Sequence, residues 1–176
     1  GSLTLNAFSG MIDTVTIDYG SISSDEDTNW RIGTLNMPND NSSGTLRSGT
    51  IGAIDAYSDT PTAGKLLESG YVFQDANGSY VAQTTPADGL TEVTVVKCDH
   101  NGYTSGACRY CGEVMEAKLT LGANTVFYTS LKDAVTAAQT EENTGCTVTL
   151  LNDISGSDVL VNAGRFTLDL GGNRLY

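Results

Sequence analysis

The sequence predicts a mainly β protein of solenoid type, and three observations lead there. Short segments alternating apolar and polar residues recur about every ten residues, with Gly, Ser, Asn and Asp between them. Twenty glycines and abundant Thr beside Val, Ile and Leu favour short extended segments punctuated by turns. The opening rhythm also returns at the end of the chain, as it does when coils of roughly 20 to 30 residues bury their apolar faces by stacking.

The first strands are expected over LTLNAF (3 to 8), TVTIDY (14 to 19), IGTLNM (32 to 37) and TLRSGTIGAI (45 to 54), each with one apolar face. After Pro61, TAGKLLESGY predicts a helix of one or two turns, with Thr62 as N-cap and Gly70 as a left-handed stop. YVFQDANGSYVAQ predicts a hairpin turning at Asp75-Ala76-Asn77-Gly78, where Asn-Gly favours a tight primed turn. QTTPADGL (83 to 90) has linker composition, and LTEVTVVKC (90 to 98) is a strand running into the cysteines. VMEAKLTL, a Gly-Ala-Asn turn and TVFYT form a second predicted hairpin. Ser130-Leu131-Lys132-Asp133 then has capping-box form, and Leu131, Ala134, Val135 and Ala138 fall on one helical face. TVTLL (147 to 151), SDVLV (157 to 161) and FTLDL (166 to 170) complete the series as strands, running up to Tyr176 in an incomplete solenoid. Irregular spacing over residues 3 to 54 leaves a β-sandwich as the alternative fold.

Residues 98 to 112, CDHNGYTSGACRYCG, hold three of the four cysteines and the sole histidine. Cys98, His100, Cys108 and Cys111 make C-x-H-x7-C-x2-C, a donor set that suits tetrahedral zinc and leaves no open position, so the site would be structural. A disulfide framework and uncombined thiols are the competing readings. Cys146, in TGCTVTLL, sits where a small apolar core residue is expected. No βαβ pattern surrounds the C-x2-C, which argues against a redox pair.

Composition narrows the function classes. Nine Lys and Arg against 21 Asp and Glu give a formal net charge of −12, with no cationic cluster to neutralise phosphates, so nucleic acid is excluded as the expected partner. No apolar run reaches the roughly 20 residues that span a bilayer, so no membrane insertion is expected. Gly1-Ser2 reads as an expression scar, which would make the chain a piece of something longer.

The tract GKLLESGYVFQDANGSYV, then EVTVVKCDHNGYTSGACRYCG, VFYTSLKDAVTAA, TVTLLNDI and FTLDLGGNRL, resembles the large repetitive surface proteins of gut Gram-positive bacteria. The likeness touches most of residues 60 to 176 and lies in the order of the parts. In that family right-handed parallel β-helix domains of pectin-lyase-like shape are joined by short Cys/His modules. The resemblance therefore implies β-helix segments with small capping helices and a zinc-ribbon-like joint. Residues 3 to 82 would be the C-terminal part of one β-helix with its helix and hairpin cap, and 83 to 118 the linker and zinc-binding module. Residues 119 to 176 would be the cap helix and first coil of a second β-helix. It also implies an extracellular, cell-surface or cell-wall location, and non-catalytic adhesion to host proteins or glycans, immunoglobulin among them. A pure spacer is the alternative role.

If the fragment binds a partner, its sheet faces would do so, with Trp30, Arg31, Tyr57, Tyr71 and Tyr80 as the anchors to suspect. Raw solenoid ends also predict end-to-end self-association. A lyase or hydrolase would need a group of acids with a cation on one face, for which Asp13, Asp18 and Arg31, or Asp153 and Asp158, are the candidates; turn chemistry accounts for them as well. Asp25, Glu26 and Asp27 in one loop, and the Asp75 turn, are the two places where calcium could be held by oxygens. The acidic loop is better read as a solvated charge run, and the Asp75 segment as a hairpin turn, since Pro86 stands where an EF-hand loop starting at Asp75 needs its Glu.

Overall fold

A computed structural model describes residues 1–6, 9–59, 61–156 and 161–176. The chain is mainly β, in a solenoid arrangement with one small α-helix among the described residues. It divides into two compact units, Gly1–Cys98 and Asp99–Tyr176.

In the first unit each coil contributes two strands. They are β1 (Ser2–Thr4) and β2 (Gly10–Thr16), β3 (Ser21–Ser23) and β4 (Trp30–Met37), then β5 (Ser43–Thr45) and β6 (Thr50–Ala56). β1, β3 and β5 stack in parallel with Ser2 opposite Ser21 and Ser21 opposite Ser43, steps of 19 and 22 residues. β2, β4 and β6 stack likewise, Ile12 opposite Ile32 and Ile32 opposite Ile51, steps of 20 and 19. Parallel stacking of this kind is a solenoid's pairing and sets the sandwich alternative aside.

The inward side chains explain why the spacing looks irregular in sequence. In β2 and just beyond it the inward positions are Ile12, Val15 and Ile17; in β4 they are Ile32, Leu35 and Met37; in β6, Ile51, Ile54 and Ala56. Strict alternation is broken by one residue at the same level of every coil. The ladder skips Asp13, Gly33 and Gly52 there, and the three form a stacked bend. Glycine is demanded at two of these levels, because a Cβ on Gly33 would lie 2.5 Å from the Asp13 carbonyl oxygen and one on Gly52 2.6 Å from that of Gly33. At the corners, buried serines bond the neighbouring coil's backbone: Ser24 Oγ accepts from the amides of Arg47 and Ser48, and the Ser42 hydroxyl donates to the Ile17 carbonyl. These buried hydroxyls are thus satisfied between coils.

The stretch after Pro61 is shorter than a two-turn helix. A single 3-10 turn covers Ala63–Leu66, the Thr62 side chain makes no capping bond, and Leu67 is already extended, bridging in parallel to Leu46. Burial decides this, since Leu66 and Leu67 must both continue the apolar stack begun by Leu46. β7 (Tyr71–Gln74) and β8 (Tyr80–Val81) form the expected hairpin. Its turn differs from the two-residue primed form: Gly78 alone is left-handed at φ 81°, and the Asp75 carboxylate accepts the amides of Asn77 and Ser79.

β9 (Thr91–Lys97) runs antiparallel between β6 and β7, burying Val93 and Val95. It covers the sheet edge that the last parallel coil would leave open. Residues 83 to 90 likewise belong to this unit, with Ala87 buried and its amide bonded to the Pro61 carbonyl. The first unit therefore extends to Cys98, past the end at residue 82 that the resemblance implies, because residues of linker composition here still serve a core.

Tyr71 ties the closing hairpin to the acidic loop, its hydroxyl donating to Glu26 Oε1. Burial first, then the hydrogen bond to this carboxylate and its negative charge, push the Tyr71 pKa up to about 12. A tyrosine in the unfolded chain ionises near pH 10, so between about 10 and 12 the folded state keeps a proton that the unfolded state has lost. Stability is full below pH 10 and declines as pH rises toward 12. An alkaline titration of the unfolding midpoint should show this decline, and Tyr71→Phe should remove its share.

The second unit opens with the cysteine loop, including β10 (Tyr103–Thr104) and β11 (Ala107–Cys108). β12 (Ala117–Leu121) and β13 (Asn124–Tyr128) form the second hairpin. Helix α1 spans Leu131–Ala138 and buries Leu131, Ala134, Val135 and Ala138, the face read from spacing. Its N-cap is Ser130, whose side chain accepts from the Asp133 amide, and the Leu131 amide donates to Glu116 Oε2. A carboxylate at a helix N-terminus meets the positive end of the helix dipole.

β14 (Thr147–Leu150) and β15 (Thr167–Asp169) pair in parallel, Thr147 opposite Thr167, a step of 20 residues as in the first unit. The antiparallel β12 covers the other edge of β14. Of the expected strand 157 to 161, residues 157 to 160 lie outside the described residues, Asp158 among them.

Candidate metal centre

The cysteine loop is built from turns that turn its donors inward. Cys98 directly follows β9, and its amide is fixed on the Gly70 carbonyl. Asp99 then makes an Asx turn, accepting the Asn101 amide on Oδ1, and the chain reverses at His100 with φ 57°. A left-handed histidine is uncommon and follows here from the turn imposed by Asp99. Tyr103 pairs with Cys108 and Thr104 with Ala107, across a two-residue turn in which Ser105 and Gly106 are both left-handed. This is a primed hairpin turn.

Beyond it, Cys108-Arg109-Tyr110-Cys111-Gly112 closes a knuckle. The Gly112 amide donates to the Cys108 carbonyl at 2.8 Å and Gly112 is left-handed at φ 74°. The Cys108 amide donates to the Glu113 carbonyl at 2.9 Å. Tyr103 stacks on Phe127 of the adjoining hairpin, ring centroids 5.0 Å apart, and Asn152 Nδ2 donates to the Met115 carbonyl. The loop is thereby packed on its own unit.

These turns bring one donor atom of each of Cys98, His100, Cys108 and Cys111 within 4.8 Å of one another, close enough to hold a metal ion. The three cysteines are buried, and the histidine side chain is 15% exposed. Cys111 Sγ lies 3.3 Å from His100 Nδ1, and His100 Nε2 lies 3.5 Å from Glu113 Oε2. No disulfide joins any of the four cysteines, so the disulfide framework is not the arrangement found. Cys146 is 1% exposed in the core of the second unit, where burial pushes its thiol pKa up. It is a core residue, as its sequence setting suggests.

The residues named as partner anchors fare differently. Trp30 is 1% exposed and Tyr71 7%; both fill the first unit's core and present no ring to a partner. Each sits at an inward position of its strand, in a core that otherwise holds mostly Ile, Leu and Val. Tyr57 is 76% exposed, and Tyr80 is half-buried in β8. Arg31 stays near the surface and reaches across β6 to Glu92, its Nη2 2.7 and 2.9 Å from the two carboxylate oxygens. Gly52 lies beneath that reach.

Several of the acids with enzyme or calcium readings are engaged in local structure. Asp18 accepts from Asn39 Nδ2, and Asp153 accepts the Arg174 amide. Asp25's carbonyl takes the hydroxyls of Thr28 and Ser48, and Glu26 takes that of Tyr71. Sequence reasoning passed over Glu92, Glu113 and Glu116. Only Glu113 carried a signal, standing two residues after the C-x2-C.

No protein-family model, no curated protein and no solved structure matches the chain.

Proposed function

We propose that the chain is a non-catalytic segment of a bacterial surface protein, whose cysteine knuckle holds a structural zinc ion. The observation that carries the metal reading is the donor set itself, three buried sulfurs and one imidazole gathered within 4.8 Å. Four N/S donors complete zinc's tetrahedron, so no position remains for water or substrate. Bonds of about 2.3 Å to sulfur and about 2.0–2.1 Å to nitrogen at tetrahedral angles put those two ligand atoms about 3.6 Å apart. The 3.3 Å between Cys111 Sγ and His100 Nδ1 is close to that separation. Three thiolates favour zinc over the hard cations that take oxygen.

The reading as a surface protein rests on the resemblance set out above, which also suggests the extracellular setting and a host protein or glycan, immunoglobulin included, as partner. No helix among the described residues is long and apolar enough to cross a membrane. Solenoids present extended faces suited to protein contacts, and Tyr57, Arg31 and Tyr80 of the first unit supply surface side chains of the kinds that anchor interfaces. A pull-down of host serum and mucus proteins on the purified chain separates binding from spacing. Retention of a partner that is lost with Tyr57→Ala supports adhesion; no retained protein favours the spacer. Release of reducing or unsaturated ends from pectin-like or mucin glycans would overturn the non-catalytic reading.

A further inference from the structure

We infer that Glu113 is a positioning residue for His100, selecting Nδ1 as the ring nitrogen that faces the metal. The inference rests on the zinc reading and adds to it an outer residue that is not itself in the donor set. The two ring nitrogens have different neighbours: Nδ1 faces Cys111 Sγ at 3.3 Å, and Nε2 faces Glu113 Oε2 at 3.5 Å. A neutral imidazole has one N–H and one lone pair, so a carboxylate that accepts from Nε2–H leaves the Nδ1 lone pair directed among the sulfurs. Metal-bound histidines commonly donate their other N–H to a carboxylate, which fixes ring and tautomer together.

The backbone places Glu113 for this task. Its carbonyl accepts the Cys108 amide, and the preceding Gly112 amide is bonded to the Cys108 carbonyl, so the carboxylate's origin is held by the same knuckle that holds two of the sulfurs. His100 in turn is held by the Asp99 turn. Charge offers a second reason for the arrangement. Three thiolates around a divalent ion leave the centre negative, and a further carboxylate would be repelled unless an N–H donor stands between it and the sulfurs. The imidazole is that donor.

The test uses the whole chain loaded with zinc alone. Long-range nitrogen–proton correlation on labelled protein should show His100 bound through Nδ1 with the proton on Nε2. Glu113→Ala should weaken zinc affinity about 10- to 100-fold in a chelator competition, and Glu113→Gln, which still accepts a hydrogen bond, should recover most of that loss. Amide spectra of β4 and β14 should be unchanged in both variants. Binding through Nε2, or a Glu113→Ala affinity equal to the parent's, overturns the inference while leaving the zinc reading intact. Equal losses in the Ala and Gln variants overturn it too, since the hydrogen bond would then not be what acts. A parent chain that takes up no zinc overturns the metal reading and the inference with it.

Discussion

Replacing Cys108 or Cys111 by serine is expected to abolish stable zinc binding and to release the amides of residues 98 to 116 to rapid hydrogen exchange, with β4, β6 and β14 keeping their protection. The loop has little else to hold it. Apart from the cysteines its one fully buried large side chain is Met115, and its ladder is two residue pairs long. Structural zinc in small Cys/His folds is worth about 10–16 kcal/mol of apparent binding free energy, which there is folding free energy. The solenoid strands draw on separate cores, built around Ile32, Leu35 and Ile51 in one unit and around Val148, Leu150 and Leu131 in the other. Chelation of the parent protein should reproduce the variant's exchange pattern. Loss of protection in β4 or β14 to the same extent would mean that the units do not stand on their own cores.

Trp30→Ala is expected to cost about 3–5 kcal/mol of stability in the first unit, the range for emptying a buried aromatic site. Trp30 is among the largest fully buried side chains, and Gly49 packs so closely on its ring that a Cβ there would lie 2.1 Å from an indole carbon. Trp30→Phe should cost clearly less. Its indole Nε1 is buried without a hydrogen-bond partner, so phenylalanine gives up ring volume and also removes an unsatisfied donor. Because Trp30 is the chain's only tryptophan, fluorescence in the parent reports the first unit alone. Urea titrations followed by circular dichroism then compare both variants with it. A phenylalanine variant as unstable as the alanine one would show that the indole nitrogen is not a liability.

The solenoid was legible in sequence because each strand needs a buried face, and TVTLL or IGTLNM announce theirs by alternation. What alternation concealed was the bend at Asp13, Gly33 and Gly52, which shifts the inward register by one residue in each coil. Helix α1 was legible to the residue, since Ser130 and four apolar positions are all local signals. The turn at Ala63 to Leu66 was not, because its conformation is set by Leu46 in the coil below. β9 illustrates the same limit: TEVTVVK reads as a strand, but nothing in it says that it inserts between β6 and β7. At the knuckle, spacing alone named the four donors. The partner anchors were misjudged at Trp30 and Tyr71 because an aromatic residue in a strand looks alike whether its face is turned inward or outward. Glu113 escaped notice since its role depends on where the His100 ring points.

Zinc K-edge X-ray absorption on the zinc-loaded chain tests the central claim most directly, because it counts sulfur and nitrogen neighbours around the ion itself. Coordination by Cys98, His100, Cys108 and Cys111 predicts three sulfurs at about 2.3 Å and one nitrogen at about 2.0–2.1 Å. A shell of oxygen and nitrogen alone, or one with fewer than three sulfurs, would contradict it.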